Sequence, residues 1–273
     1  MTDYTILRTV NEGIERITYT PHERRFDTPI LLQHGMWHGA WCWADWQALL
    51  ATWGWESHAI SLPGHGGSPV QRPLRWCTLG YYLRFLEREI NRLPVRPILM
   101  GHSMGGALTQ HYLKKYDDLP AAVLVAPWPS HSMVPPSISP LKIDPVGSLL
   151  TMVMLSATPL IRTPARAAKL LISPKARISP EELHKKLTPE SILVIYQHNP
   201  PMWSPPKHLK TPLLWLAGEF DYAIPEKFER PSAKHYGAKY VVVPDAGHNL
   251  MMEHNADATA QTIHEWLMGQ SIQ

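Results

Sequence analysis

The stretch MGHSMGG at residues 100–106 decides the predicted fold. It contains the pattern G-x-S-x-G, preceded by an apolar segment (96–103) that predicts a strand and followed by a segment (105–116) that predicts a helix. A strand, a tight turn and a helix in this order are the setting of a nucleophilic serine. Such a turn strains the serine backbone by about 1–3 kcal/mol, and the flanking glycines leave room for neighbouring chain. We therefore predict that Ser103 is a nucleophile at a helix N-terminus, where N–H groups favour negative charge.

Strands and helices alternate on both sides of this turn. Predicted strands cover 14–20, 29–35, 55–64, 96–103, 121–127, 212–218 and 239–245, and predicted helices cover 38–54, 79–93, 105–116, 225–236 and 257–268. Apolar strands that alternate with helices are typical of a parallel sheet covered on both faces. The sequence predicts an α/β fold with a mostly parallel central sheet of about eight strands.

Residues 128–206 differ from the rest of the chain because prolines are dense there. Ser/Thr-Pro pairs begin at Ser173, Ser179 and Thr188, and a proline after a Ser/Thr cap is a start signal for a short helix. We interpret this region as a helical cap inserted into a core formed by 1–127 and 207–273. Additional core helices without a functional role are the alternative interpretation.

Composition excludes several classes of protein. The 273 residues include 26 Lys+Arg and 23 Asp+Glu, a formal charge of +3, and 44% are hydrophobic, which excludes an acidic or polar disordered chain. No Lys/Arg run indicates a nucleic-acid partner, and no apolar run approaches the roughly 18 residues of a membrane span. The N-terminus lacks a signal-peptide core. The two cysteines, Cys42 and Cys77, are typical of reduced thiols, so we expect a cytoplasmic protein without membrane contact.

Four further motifs accompany GHSMGG (101–106). They are LLQHG at 31–35, SLPGHGGS at 61–68, LAGEFD at 216–221 and DAGHNL at 245–250. With these motifs the chain resembles the α/β-hydrolase superfamily over nearly its whole length. The segment WHGAWCW at 37–43 is similar to the plant methylesterase and hydroxynitrile lyase branch. The resemblance implies an α/β-hydrolase fold of the serine esterase type with a helical cap.

The catalytic partners of Ser103 follow from the order of residues in the superfamily, which is serine, then an acid, then histidine. This order implies His248 as the general base and Asp221 as the acid that orients it, each directly after a predicted strand. Glu219 and Asp245 are alternatives for the acid. We interpret His102, next to the serine, as structural.

The resemblance also implies an oxyanion hole. Two preset N–H donors must stabilise the charge that builds on an ester carbonyl oxygen, and the superfamily pattern assigns them to the backbone amides of Met36 and Met104. Gly35 is expected to let its loop pass close to Ser103.

Together these features predict a serine hydrolase that cleaves carboxylic esters, and also thioesters, of an apolar small molecule. No metal pattern such as H-E-x-x-H is present, and the chemistry needs no cofactor. The candidate substrate-lining residues are Trp37, Trp128, Met133, Met152, Met154 and Trp203.

Other activities of the same fold are weighed against this prediction. A haloalkane dehalogenase or epoxide hydrolase would carry Asp at position 103. A hydroxynitrile-lyase-like C–C lyase typically has Thr where Gly35 stands and Lys where Asn249 stands, so both positions favour an esterase. A ligand receptor with an intact triad remains open, because fold does not fix function.

Overall fold

One sheet of eight strands forms the centre of the protein. The computed structural model describes residues 3–136, 144–270 and 272. The strands are β1 (Tyr4–Asn11), β2 (Ile14–Pro21), β3 (Ile30–Gln33), β4 (Ser57–Ser61), β5 (Ile98–His102), β6 (Ala122–Val125), β7 (Leu213–Gly218) and β8 (Lys239–Val243). Their order is β1-β2-β4-β3-β5-β6-β7-β8. The pairs β1–β2 and β2–β4 are antiparallel and the other five pairs are parallel, which confirms the mostly parallel sheet.

Helices cover both faces of this sheet. Within the described residues they are α1 (Ala44–Thr52), α2 (Leu79–Arg92), α3 (Met104–Lys115), α4 (Pro145–Met154), α5 (Pro164–Leu171), α6 (Pro180–Lys186), α7 (Leu193–Gln197), α8 (Glu226–Tyr236) and α9 (Ala256–Met268). Every residue of β3, β5, β6 and β7 is buried. Because successive side chains of a strand point to opposite faces, full burial means that both faces are packed.

The first strand, β1, is absent from the strands predicted by sequence. It is an edge strand whose residues are mostly exposed, so it lacks the apolar run that marks the buried strands. It pairs with β2 through the two-residue turn Glu12-Gly13, and both turn residues have positive φ. A two-residue turn with positive φ at both positions matches the twist of a hairpin. The glycine of this turn is the signal that could have revealed the hairpin.

The three Ser/Thr-Pro pairs from which the sequence predicts helix starts have different outcomes. Ser179 caps α6 with a capping box, as predicted. No helix begins at Ser173, whose hydroxyl donates instead to the buried carboxylate of Glu253. No helix begins at Thr188 either, since its amide and hydroxyl both donate to the carbonyl of Trp37. The two predictions were wrong, and tertiary hydrogen bonds orient these two side chains instead.

The winding of the sheet determines where a site can form. β3 and β5 are neighbours, and the chain places β4 beyond β3 and β6 beyond β5. In open α/β sheets, ligands bind outside the carboxyl ends of the strands at such a switch point. The segments that follow β3, β5, β7 and β8 therefore meet at one edge. None of the described helices, the longest of which has 14 residues, is long and apolar enough to cross a bilayer.

Candidate active site

Ser103 occupies the turn between β5 and α3. Its φ of 53° and ψ of −116° lie in a region that residues with a side chain rarely adopt. The turn is held from both sides, because the Ser103 amide donates to the Val125 carbonyl (3.0 Å) and the Ser103 carbonyl accepts from the Ala107 amide (3.1 Å). A strained conformation persists where the surroundings over-determine it, as they do here. The hydroxyl is thereby presented at the carboxyl edge of the sheet.

Two glycines allow the chain to pass close to this turn. A Cβ atom at Gly105 would lie 2.2 Å from the Gln33 carbonyl oxygen, and one at Gly35 would lie 2.7 Å from Cβ of Ser103. Neither distance is compatible with a side chain. The absence of side chains at these positions brings the end of β3 against the serine.

His248 and Asp221 form a buried hydrogen-bonded pair. Nδ1 of His248 lies 2.6 Å from Oδ2 of Asp221, and the side chains are 3% and 0% exposed. The second carboxylate oxygen of Asp221 accepts from the Ile224 amide at 2.8 Å. An acceptor at Nδ1 keeps the proton there and leaves Nε2 able to accept a proton.

The alternative acids have other partners. Asp245 forms an ion pair with Lys175 at 2.8 Å, and its carboxylate is about half exposed. Glu219 accepts a hydrogen bond from the Asp245 amide at 2.9 Å. Asp221 is therefore the carboxylate that reaches His248.

A second buried carboxyl group, that of Glu229, lies near Asp221. Burial raises the pKa of Glu229 well above its ordinary value, and the charge of Asp221 raises it further. Nε1 of Trp215 donates to Glu229 at 2.9 Å. Burial and the neighbouring Asp221 thus both disfavour a charged Glu229.

The loop that carries His248 is fixed by buried hydrogen bonds. Nε2 of His102 donates to the His248 carbonyl at 3.2 Å, and burial lowers the pKa of His102 well below its ordinary value, so the ring is neutral. The Gly247 amide donates to the fully buried carboxylate of Glu253 at 3.0 Å. The Asn249 amide donates to the Leu171 carbonyl at 2.7 Å, which ties the loop to α5.

Ser103 and His248 face one apolar cavity of about 410 Å³. Four of the six residues predicted to contact substrate line it, namely Trp37, Trp128, Met133 and Met152. Its other lining residues are Met36, Pro136, Pro145, Ser148, Leu149, Thr151, Leu160, Leu170, Ile192, Ile195, Ala223 and Ile224.

The structure does not bring Met154 or Trp203 to this cavity. Met154 ends α4 two residues beyond the cavity-lining Met152 and is therefore on another side of the helix, although both residues are 55% exposed. Trp203 is buried between His111 and His198, whose rings stack on it, and its Nε1 donates to the Ser130 carbonyl. Trp203 therefore belongs to a structural aromatic cluster.

The two amides assigned to the oxyanion hole lie beside Ser103. Met104 is the first residue of α3, and Met36 follows β3 in a turn whose side chains line the cavity. Neither amide donates to another group among the residues that the structure describes. Unpaired donors next to a nucleophile can stabilise an anion.

Sequence reasoning missed two histidines of this region, His34 and His38. Both are fully buried beside the turn at Met36. Burial lowers the pKa of His38 to about 4 and that of His34 well below its ordinary value. The signal was present as two His-Gly dipeptides four residues apart, at 34–35 and 38–39. Across the described residues, no group of three or more His, Cys, Asp or Glu has the arrangement of a metal site.

Comparisons with known proteins agree with the fold. A model of the alpha/beta hydrolase family matches residues 30–262. The pFDCC methylesterase MES16 of Arabidopsis thaliana is 34% identical over 109 residues, which cover 39% of this chain and 40% of that protein. Pheophorbidase of Raphanus sativus is 32% identical over 87 residues, covering 31% of this chain and 33% of that protein. The matches thus span less than half the length of these curated relatives.

Solved structures are similar over nearly the whole chain. A monoacylglycerol lipase of Paleococcus ferrophilus has a TM-score of 0.66 at 19% identity, covering 98% of this chain and all of the other. A thermophilic esterase from Thermogutta terrifontis has a TM-score of 0.64 at 20% identity, covering 97% and 98%. At these identities the similarity concerns the fold.

Proposed function

The chain belongs to the alpha/beta hydrolase family, and on that premise we propose that it hydrolyses carboxylic esters of an apolar small molecule through an acyl-enzyme on Ser103. One observation carries this proposal. The strained Ser103 and His248, which is paired with the buried Asp221, line the same apolar cavity. A nucleophile, a base and an orienting acid are the parts that acyl transfer requires.

In the first step His248 acts as the general base. Nε2 takes the hydroxyl proton of Ser103 as the oxygen bonds to the ester carbonyl carbon, and the π electrons of the carbonyl move to its oxygen. The resulting imidazolium is stabilised by the 2.6 Å contact with Asp221. Collapse of the intermediate breaks the bond to the leaving oxygen, which receives the proton from His248. Water then attacks the acyl-enzyme with the same base and releases the acid and the free serine.

The amides of Met36 and Met104 are proposed to stabilise the oxyanion of both tetrahedral intermediates. Their lack of partners among the described groups supports this role, as does the position of Met104 at the N-terminus of α3. The loss of one such donor typically lowers the rate by about 10²–10³-fold.

The substrate class follows from the cavity. Its walls are almost wholly apolar, and Trp37, Trp128, Met133 and Met152 are proposed to contact the acyl or alcohol group. Residues 128–206 supply many of these walls, which supports their assignment as a cap over a core of 1–127 and 207–273. The methylesterase relative supports an ester with a small alcohol. Thioesters fit the same mechanism, because only the leaving atom differs.

The proposal is tested by kinetics with p-nitrophenyl esters of graded acyl length and the matching thioesters. We expect saturable turnover by the unmodified chain and a loss of at least about 10³-fold in kcat for Ser103→Ala. Ser204→Ala, which changes an exposed serine outside the cavity, serves as the control and should keep its rate. Retained turnover in Ser103→Ala, or none in the unmodified chain towards any ester or thioester, would refute the proposal.

A further inference from the structure

The oxyanion turn, defined here as residues 35–37, is held at three consecutive carbonyl groups. The Gly35 carbonyl oxygen lies 2.7 Å from Nδ1 of His34, and the Met36 carbonyl oxygen lies 2.6 Å from Nδ1 of His38. The Trp37 carbonyl accepts from the amide and the hydroxyl of Thr188, at 2.8 and 3.1 Å. Three successive carbonyls held in this way leave the backbone of the turn little freedom.

The partners of the two imidazoles fix which ring nitrogen carries the proton. Nε2 of His34 accepts from the Leu62 amide at 3.0 Å, so its proton is on Nδ1 and is donated to Gly35. Nε2 of His38 lies 3.0 Å from the side-chain NH₂ of Asn249, so it accepts there, and Nδ1 donates to Met36. Each ring is thus a neutral donor at one end and an acceptor at the other.

The bond from His34 sets the direction of the Met36 amide. The Gly35 carbonyl and the Met36 N–H belong to one planar trans peptide, in which they point in opposite directions. Holding the carbonyl on the buried side therefore directs the N–H away from that side. His38 holds the next peptide in the same manner, so the Met36 residue is fixed on both of its flanks.

The other ring nitrogen of His38, Nε2, contacts the loop that carries the proposed base. Asn249 follows His248 directly in the chain, and its side chain donates to His38. One buried ring thus joins the oxyanion turn to the loop of His248, although 210 residues separate His38 from that histidine. This contact adds to the hydrogen bonds with His102, Glu253 and Leu171 that hold the same loop.

We propose that His34 and His38, which we term the imidazole clamp, are positioning residues that aim the Met36 amide at the reacting carbonyl and hold it in register with His248. The clamp rests on the proposed ester hydrolysis and deepens it. Neither ring acts on substrate. Both act through the backbone, and an oxyanion donor requires preset geometry because a small misplacement lowers the rate strongly.

The neutrality of the rings suits this role. Burial lowers the pKa of both histidines, that of His38 to about 4, so the accepting nitrogen of each ring stays unprotonated at neutral pH. A protonated ring could not accept from Leu62 or Asn249. Replacing either ring with a side chain that cannot donate would also leave a buried carbonyl, that of Gly35 or Met36, without this hydrogen bond, which is costly.

The test compares His38→Phe, His38→Asn and His38→Gln by steady-state kinetics on a p-nitrophenyl ester. Phe keeps a ring but has no hydrogen-bonding atom. The Asn amide nitrogen occupies the place of Nδ1 and can still donate to Met36, whereas the Gln oxygen takes the place of Nε2. We expect Phe to lower kcat by about 10–100-fold with KM within threefold, since full loss of a donor costs about 10²–10³-fold. Asn should keep kcat within fivefold.

A second readout separates positioning from general damage. Inhibition by butylboronic acid, whose tetrahedral serine adduct occupies the oxyanion hole, should weaken in His38→Phe in proportion to kcat. His235→Phe removes a similar imidazole bond to a backbone carbonyl, that of Pro206, and should leave kcat unchanged because His235 does not line the cavity. If His38→Phe does not fold, the Asn and Gln variants carry the test, and Asn must be at least fivefold faster than Gln.

Two outcomes overturn the clamp alone. One is a folded His38→Phe variant with kcat within twofold of the unmodified chain, and the other is an Asn variant no faster than Gln or Phe. An unmodified chain without Ser103-dependent turnover overturns the proposed function and the clamp with it, and this result is distinct from the other two.

Discussion

The side chains of the site depend on partners that decide their protonation and direction. Ser103 keeps a strained backbone because β6 and α3 hold its amide and carbonyl. His248 keeps its proton on Nδ1 because a carboxylate lies 2.6 Å from it. A change in either partner therefore alters the chemistry without touching the serine itself.

The prediction at the scale of single residues concerns Asp221. In Asp221→Asn the new amide nitrogen can donate to Nδ1 of His248, which favours a proton on Nε2 and prevents that atom from accepting the serine proton. We expect kcat to fall by about 10⁴-fold. Asp245→Asn, which breaks only the surface pair with Lys175, should keep kcat within threefold. Stopped-flow and steady-state assays on one ester measure both variants, and equal losses would contradict the assignment.

Part of the site follows from sequence at this scale, and part does not. The motifs identify Ser103 and His248, because each motif lies directly after a predicted strand and the two follow the superfamily order of serine before histidine. They leave Asp221 open among three carboxylates, since the direction of each side chain depends on the turn after β7 and on partners such as Lys175. For the clamp the sequence offers only two His-Gly dipeptides, at 34–35 and 38–39, and not their contacts, because a buried histidine has the same letter as an exposed one.

At the scale of elements, the same signal yields different structures. Ser179-Pro180 begins a helix, and Thr163-Pro164, which the sequence prediction omits, begins α5 with Thr163 as its cap. Thr188-Pro189 begins none. A local capping signal competes with long-range hydrogen bonds that have no trace in a short window. The core elements avoid this problem, because burial of their apolar faces determines them.

Helix α4 has a further ambiguity, since it carries no charged residue. Pro145, Ser148, Leu149 and Met152 line the cavity, which is the i, i+3, i+4, i+7 face of one helix. An uncharged helix has no polar stripe to mark the opposite face, so sequence could not separate Met152 from Met154. At about 100° per residue the two side chains point about 160° apart around the helix axis.

The element-scale prediction uses this pair. Met152→Trp places a larger side chain against the cavity and should exclude long acyl chains, whereas Met154→Trp alters only the outer side of α4. We expect the ratio of kcat/KM for p-nitrophenyl octanoate to that for the acetate to fall at least about tenfold in Met152→Trp, because one methylene in a pocket is worth about 10–200-fold. Met154→Trp should keep the ratio within twofold. Equal ratios in both variants would show that α4 does not limit the acyl group.

At the scale of the whole molecule, the sheet assembles a site from distant segments. Met36, Ser103, Asp221 and His248 each follow a different strand, and the parallel sheet brings their carboxyl ends to one edge. The same packing encloses several histidines. Burial, the largest cause in each, lowers the pKa of His38 and His198 to about 4 and that of His111 to about 3.

These buried histidines predict that the protein loses stability in mild acid. Their folded-state pKa values lie below the ordinary 6.5, so between pH 6.5 and 4 the unfolded chain binds more protons than the folded one, and the free energy of unfolding falls as the pH falls. Each contributes up to about 1.4 kcal/mol per pH unit, so His38, His198 and His111 together give about 3–4 kcal/mol per unit between pH 6 and 5. Burial raises the pKa of Glu229, so this group changes the free energy of unfolding in the opposite direction. It is one group against three histidines, whose combined effect is larger. Against a total stability of about 5–15 kcal/mol, acid unfolding should begin near pH 5.

Urea denaturation followed by circular dichroism between pH 8 and 5 measures this dependence. The free energy of unfolding should be nearly constant from pH 8 to 7 and should then decline steeply. His111→Phe, which keeps a ring against Trp203, should reduce the slope by about 1.4 kcal/mol per pH unit because one proton fewer is taken up on unfolding. His22→Gln removes an exposed imidazole and should keep the slope of the unmodified chain. If the free energy of unfolding stays constant or increases as the pH is lowered from 6 to 5, these rings are already protonated or already exposed to water in the folded protein, which contradicts the prediction.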